Sequence, residues 1–174
     1  MTNEVLKCIK SRRSIRKYKE DQVSDEQLMA IIEAGTYAPS SMGRQGGQIV
    51  AIQDRELIEK LSALNGEYFS MDSDPYYHAP TVLLVFANGD NANWIQDGSS
   101  ILNNMMIAAN SLGLGTCWIN REIEMFDDKE GKKLMKKWGI ADNMRGVGAL
   151  SLGYPYGDIP KAAPRKEDFY KIIK

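Results

Sequence analysis

Apolar residues recur along this chain at two spacings, and the segments that carry them alternate, as expected of helices laid against strands. Val5, Leu6 and Ile9 fall on one side of a first helix that Asn3 can cap and that ends near the junction of Ser11 and Arg12. Ser24, Asp25, Glu26 and Gln27 read as a capping box, and Leu28, Ile31 and Ile32 form the buried stripe of the helix it starts. Pro39 bounds that helix, because the residue before a proline is pushed out of helical geometry. Asp54 caps a third helix carrying Leu57, Ile58, Leu61 and Leu64, with Asn65 and Gly66 as its predicted stop. From about Asp97 to Ser111, Ile101, Leu102, Met105, Met106, Ala108 and Ala109 surround most of a helix's girth. Such a helix needs two burial partners, so it is either central to the core or shared with a second subunit.

Shorter apolar runs separate the helices. Ile49 to Ile52 reads as a buried strand, and Thr81 to Phe86 is apolar on both faces, as a central strand covered on each side would be. Gly113 closes the preceding helix, and the chain turns into an extended piece through Thr116, Cys117, Trp118, Ile119 and Asn120. Asp127 or Asp128 opens a basic amphipathic helix through Leu134, Met135 and Trp138, which Gly139 ends. Val147 to Leu152 is a further strand, followed by a turn at Gly153, Tyr154 and Pro155. Residues 67–78, with Tyr68, Phe69, Tyr76 and Tyr77, form either a lid or a surface loop.

At 174 residues the chain is one domain's worth, and its composition is that of an ordinary soluble globular protein. No apolar run is long enough to cross a bilayer and the first residues do not make a signal-peptide core, so the expected location is the cytoplasm, away from membranes. Two cysteines and one histidine suggest neither a disulfide framework nor a conventional zinc site. A formal net charge of −1 leaves no basic surplus for a nucleic-acid partner.

The charge that does concentrate sits between Ser11 and Lys19, where Arg12, Arg13, Arg16, Lys17 and Lys19 interleave with Ile15 and Tyr18. In an extended chain Arg12, Ser14 and Arg16 share one face and Arg13, Ile15 and Lys17 the other. Two guanidiniums and a hydroxyl on one face make a receptor for a phosphate or carboxylate. A second donor-rich stretch runs from Pro39 through Ser40, Ser41, Gly43, Arg44 and Gln45 to Gly46 and Gly47. Its glycines serve either as turn formers or to let the backbone approach a flat ligand.

Six motifs in this order resemble the nitroreductase family of FMN-dependent oxidoreductases over nearly the whole chain. They are Arg12 to Arg16 after a first helix, Ala38-Pro39-Ser40 with Gln45 before a strand, Ala79-Pro80 into a buried strand, Gly113 to Ile119, Leu152 to Pro155, and Pro164-Arg165-Lys166. The resemblance implies an α+β fold with a mixed central sheet flanked by helices, and a single FMN-binding domain over residues 1–174. It further implies an intertwined homodimer with one FMN at each of two interface sites.

Carried over residue by residue, Arg12 and Ser14, with Arg13 between them, match the segment holding the phosphate and ribityl chain. Arg16 matches a cation at the pyrimidine edge, and Arg165 a basic residue returning to the phosphate. Pro39, Ser40, Ser41 and Gln45 match a loop reaching the flavin from the partner subunit. Trp118, Ile119 and Asn120 match the segment along the opposite side of the ring, and Asn65 a contact at the pyrimidine edge. The implied reaction is ping-pong hydride transfer from NADH or NADPH through FMN to a small electron-poor acceptor, with no side chain acting as nucleophile and no metal. No Gly-x-Gly-x-x-Gly unit follows a strand, so the nicotinamide nucleotide is expected to bind transiently.

Glycine at 43, 46 and 47 departs from the Asn and Pro-Trp that many members carry, which bears on the pocket wall and on FMN affinity. Two other readings compete. A hydrolase built on Cys117 and His78 lacks an orienting partner. A flavin-nucleotide binding or sensing module without redox activity keeps every feature above except turnover.

Overall fold

The computed structural model describes residues 1–69 and 73–174, and of Phe69 the backbone alone. Helices α1 (Glu4–Ser11) and α2 (Asp25–Thr36) precede strand β1 (Gly47–Ile52), helix α3 (Arg55–Phe69), strand β2 (Thr81–Asn88) and helix α4 (Trp94–Ser111). Strand β3 (Gly115–Ile119), helices α5 (Glu122–Asp127) and α6 (Lys129–Lys137), and strand β4 (Met144–Gly153) complete the order. The fold is α+β.

The helix starts are built as the sequence predicts. Asn3 Oδ1 accepts from Leu6 N at 2.9 Å, Ser24 Oγ from Gln27 N at 3.3 Å, Asp54 Oδ1 from Leu57 N at 2.9 Å, and Asp128 Oδ1 from Lys129 N at 2.7 Å. The capping box is incomplete in one respect: Gln27 Oε1 takes the Ser24 and Tyr154 hydroxyls. Helix α3 runs on through the predicted stop at Asn65 and Gly66 to Phe69.

The four named strands stand in the order β1-β2-β4-β3 with every pairing antiparallel. The parallel component expected of a mixed sheet is confined to a bridge between Ser14 and Thr116. β2 lies inside the sheet, and its alternate residues feed two cores. Leu83, Val85 and Ala87 pack with Ile31, Leu102, Met105 and Ala109 on the face covered by α2 and α4. Val82, Leu84 and Phe86 pack with Leu61, Met125, Phe126 and Met135 on the face covered by α3, α5 and α6. α4 is therefore a core helix, packed on α1, α2 and the sheet within one chain.

Register slips between Val85 and Phe86 of β2, which face Gly148 and Gly146 and leave Val147 as the extra residue of a bulge. Val147 fills the space left by Gly98 on α4, where a Cβ would lie 2.5 Å from its Cγ2. Gly146 meets the start of α5 just as closely: a Cβ there would lie 2.4 Å from the Glu122 carbonyl oxygen.

Candidate functional site

The basic segment is extended, as its alternation predicts, and lies along the β3 edge of the sheet. Ile15 N donates to Thr116 O at 2.9 Å, Lys19 N to Tyr154 O at 2.9 Å, and Tyr156 N to Lys17 O at 3.0 Å. The apolar anchors fix its seat. Ile15 is buried over Gly115, where a Cβ would lie 2.7 Å from its Cγ1, and Tyr18 Oη donates to Ile15 O at 2.6 Å while meeting Ser151 Oγ at 2.8 Å.

Anchored this way, Arg12, Ser14 and Arg16 all act on the thiol of Cys117. Burial pushes that thiol's pKa up, while the Arg16 charge first, then Ser14 and Arg12, work against the rise. A buried, protonated thiol is no nucleophile, and His78, its supposed partner, pairs with Asp74 at 3.1 Å. Arg13 turns the other way: its Nη1 donates to Lys10 O at 2.8 Å and Arg12 O at 2.7 Å, closing the C-terminus of α1.

Arg16 is exposed, with Nε 3.3 Å from Tyr77 Oη and its guanidinium carbon 5.8 Å from the centre of that ring. The Tyr77 contact heads the causes that raise its pKa, so the charge is permanent. Tyr77 and His78 both have left-handed φ, 58° and 54°. Asp74 holds them there by accepting from Ser62 Oγ (2.5 Å), Tyr76 N (2.8 Å) and His78 N (2.5 Å). Asp74 escaped sequence reasoning, although Asp before Pro is itself a turn signal. The lid or surface loop expected over residues 67–78 includes residues 70–72 and the Phe69 side chain, which lie outside the described residues.

The loop from Pro39 to Gln45 is tied down by its own backbone and by α4. Gln45 N donates to Ser40 Oγ at 2.9 Å with Gln45 at φ 50°, and Ser41 N donates to Asp97 Oδ1 at 2.9 Å. Asp97, buried in the first turn of α4, also accepts from Asn91 Nδ2 at 2.8 Å. Pro39, Met42, Arg44 and the Gln45 side chain are exposed. Gly43 (φ 66°) has open space around its Cβ position, whereas a Cβ on Gly47 would lie 2.2 Å from Ile101 Cδ1.

At the far end of β3, Trp118 is half-buried with Nε1 lacking a partner, Ile119 is buried and Asn120 is exposed. Asn120 and Arg121, with Ile123, Glu124 and Val147, line a recess of about 250 Å³. Asn65 stands behind this turn: fully buried, its Nδ2 donates to Asn120 O at 2.9 Å and to Glu122 Oε1 at 3.2 Å. A larger hollow of about 1170 Å³, bounded by Tyr18, Gln53, Ser62, Asp74, His78 and Pro80 among others, contains none of the predicted site residues.

Neither Arg165 nor the Pro39 to Gln45 loop hydrogen-bonds Arg12, Ser14 or Arg16 among the described residues. Arg165 lies in an exposed tail, where Nε and Nη2 donate to Ala163 O at 3.2 and 2.6 Å. The Pro39 to Gln45 loop leads into β1, at the sheet edge opposite the one that carries Arg12 to Arg16. Three strand spacings separate those edges, about 14 Å.

The family model for the nitroreductase family matches residues 9–71 and 68–154. An Archaeoglobus fulgidus protein provisionally named NADH dehydrogenase/NAD(P)H nitroreductase is 32% identical over 176 residues, covering 97% of this chain and 90% of its own. The Bacillus subtilis FMN reductase [NAD(P)H] is 35% identical over 136 residues, covering 66% of this chain and 53% of its own. Among solved structures, a nitroreductase with bound FMN from Bacteroides fragilis superposes with a TM-score of 0.92 at 33% identity, covering 99% of this chain and 100% of that one. The chain belongs to the nitroreductase family.

Proposed function

We propose that this chain is a homodimeric FMN-dependent NAD(P)H oxidoreductase. It transfers hydride in ping-pong fashion from NADH or NADPH, through FMN, to a small electron-poor acceptor such as a nitroaromatic or a quinone. The observation that carries this reading is the extended basic segment, bridged to β3 at Ser14 and pinned by the buried Ile15, whose alternation puts Arg12, Ser14 and Arg16 on one face. The names of the Bacillus subtilis and Bacteroides fragilis relatives, one an FMN reductase and one a nitroreductase with bound FMN, support the choice of cofactor.

The residues fit FMN. Arg16 spends one donor on Tyr77, and neither Arg12 nor Arg16 forms an ion pair among the described residues, so fork donors are left for a phosphate and a ring edge. The indole N–H of Trp118 is a buried donor without a partner. When bound, FMN supplies the two-electron chemistry that amino-acid side chains lack. Arg12 and Ser14 bind and orient the phosphate end. Arg16, charged at every working pH, would lie at the pyrimidine edge and favour negative charge there. The Asn120 to Arg121 turn fixes the other side of the ring, and no side chain must move a proton for hydride to pass.

The second subunit follows from the opposite edges. The opposite edges support a loop at the β1 edge that completes the β3-edge site of another copy of the chain. Tyr156, Ile159, Phe169, Tyr170, Ile172 and Ile173 in the tail are exposed on one chain and supply apolar surface for that contact, bringing Arg165 with them. Residues 1–174 act as one FMN-binding domain. No helix among the described residues is long and apolar enough to cross a membrane, and the reading places the protein in the cytoplasm.

Anaerobic titration of the FMN-loaded dimer with NADH and with NADPH tests the proposal. Loss of the oxidised flavin colour with either nucleotide, and its return on adding a quinone, is expected. Colour that persists under both refutes the oxidoreductase and favours a flavin-binding module.

A further inference from the structure

Behind the turn that the proposed function places against the flavin lies an acid without a counter-ion. Glu122 is fully buried. Its Oε1 accepts from Asn65 Nδ2 at 3.2 Å and from Tyr76 Oη at 3.3 Å, while its Oε2 has no partner among the described residues. The neighbouring amide is left half-satisfied in a complementary way: Asn65 Nδ2 serves Glu122 and Asn120 O, and Asn65 Oδ1 has no partner. Two buried acceptors on an acid and an amide already joined by one hydrogen bond share a single deficiency, a proton.

We infer that Glu122 is carried as a neutral carboxylic acid whose proton joins Oε2 to Asn65 Oδ1. The resulting acid–amide pair is the positioning element that holds the Asn120 carbonyl, and with it the β3–α5 turn, in flavin-binding form. The second half rests on the flavin reading above.

The surroundings favour the neutral form. Burial pushes Glu122 up to about 8, against smaller opposing effects from its own backbone N–H and the Tyr76 hydroxyl. Tyr76, from the turn after α3, is buried and has its own pKa pushed well up, so it stays a neutral donor. Glu124, on the same helix as Glu122, disfavours a second negative charge and is itself paired with Arg121 at 2.9 Å. Asp74 acts on the cluster only through Tyr76. From β4, Gly146 brings backbone against the Glu122 carbonyl and no ionisable group. Deprotonation leaves an uncompensated buried charge and turns the Asn65 carbonyl against a carboxylate, which frees Asn120.

The test compares the parent with Glu122→Gln and Glu122→Ala. Glutamine keeps the acceptor for Tyr76 and Asn65 and replaces the acid proton with an N–H that cannot be lost in this range. FMN affinity is measured by flavin fluorescence quenching at pH 6 and pH 9.5, and the melting temperature of FMN-free protein over the same range. Ionisations of FMN itself are common to all three proteins and cancel in the comparison.

The parent should lose about tenfold or more in FMN affinity toward pH 9.5. The Gln variant should hold its affinity within about threefold and lack the parent's fall in melting temperature. The Ala variant should bind FMN weakly at both pH values. Parallel FMN profiles in parent and Gln variant overturn the positioning role, and parallel melting profiles overturn the neutral acid. If the parent binds no FMN at any pH while the melting difference stands, the flavin reading fails and the positioning role fails with it. The buried proton alone then survives.

Discussion

Gly115→Ala is the substitution that most directly probes how the basic segment is seated. The new Cβ would lie 2.7, 2.8 and 2.9 Å from Cγ1, Cβ and Cγ2 of Ile15. Ordinary carbon contacts sit at about 3.5–4.0 Å, so a displacement of roughly 1 Å is required. Because Ile15 Cβ is attached directly to the backbone, rotation of the side chain cannot relieve the clash. The segment from Arg12 to Arg16 must lift from β3 and strain the Ile15 N to Thr116 O bond of 2.9 Å. Overpacking of this kind costs about 1–3 kcal/mol. Complete expulsion of the Ile15 side chain from its buried seat would cost about 1.5–3 kcal/mol in lost burial. Urea unfolding of parent and variant should show a lower midpoint at unchanged slope. FMN titration should show affinity down by about tenfold or more, since an ångström at the anchor moves Ser14 and Arg16 together. A variant with the parent's urea midpoint and the parent's FMN affinity would show that Ile15 does not clamp this segment, and the account of the receptor would fall.

Two further outcomes are expected. The Glu122 proton is bound in the folded protein up to pH about 8 but is lost from the unfolded chain near the ordinary value of 4.5, so the contribution of Glu122 to stability is fully present below 4.5 and is lost as pH rises through 8. The slope of that contribution is at most about 1.4 kcal/mol per pH unit; the difference in urea midpoint between parent and Glu122→Gln from pH 5 to 9 checks it, and a difference that does not change with pH contradicts it. Arg16→Ala removes an exposed cation, so the fold should persist while the FMN reduction potential falls by on the order of 30 mV, about 1.4 kcal/mol for a two-electron couple. Equal potentials would remove Arg16 from the pyrimidine edge.

What was legible in the sequence was largely local. Asn3, Ser24, Asp54 and Asp128 mark helix starts because a side-chain cap is a contact within three residues. The two-faced apolarity of Thr81 to Phe86 announced an interior strand, and the interleaving of Ile15 and Tyr18 with arginines announced an anchored segment. What escaped depends on distant partners. α5 has six residues and no side-chain cap, with Arg121 at φ 86° before it, so no local signal marks it. Asn65-Gly66 looks like a stop, yet α3 continues because Asn65 is held by Asn120 and Glu122, more than fifty residues away. Arg13 resembles its neighbours in sequence, but the alternation that aims Arg12 and Arg16 together sends it back to the end of α1. Nor could spacing alone place the Pro39 to Gln45 loop and the Arg12 to Arg16 segment at opposite sheet edges, the arrangement on which the proposed second subunit rests.

The central claim is that Arg12 and Ser14 are a receptor for the phosphate end of a flavin nucleotide, and comparing FMN with riboflavin isolates the phosphate. Dissociation constants for both ligands should be measured with the parent and with Arg12→Ala. Charge-assisted hydrogen bonds of about 1.5–3 kcal/mol predict that the parent binds FMN at least about tenfold more tightly than riboflavin, and that Arg12→Ala removes most of that ratio while leaving riboflavin affinity nearly unchanged. Equal affinity of the parent for the two ligands, or a ratio that survives Arg12→Ala intact, would contradict the claim.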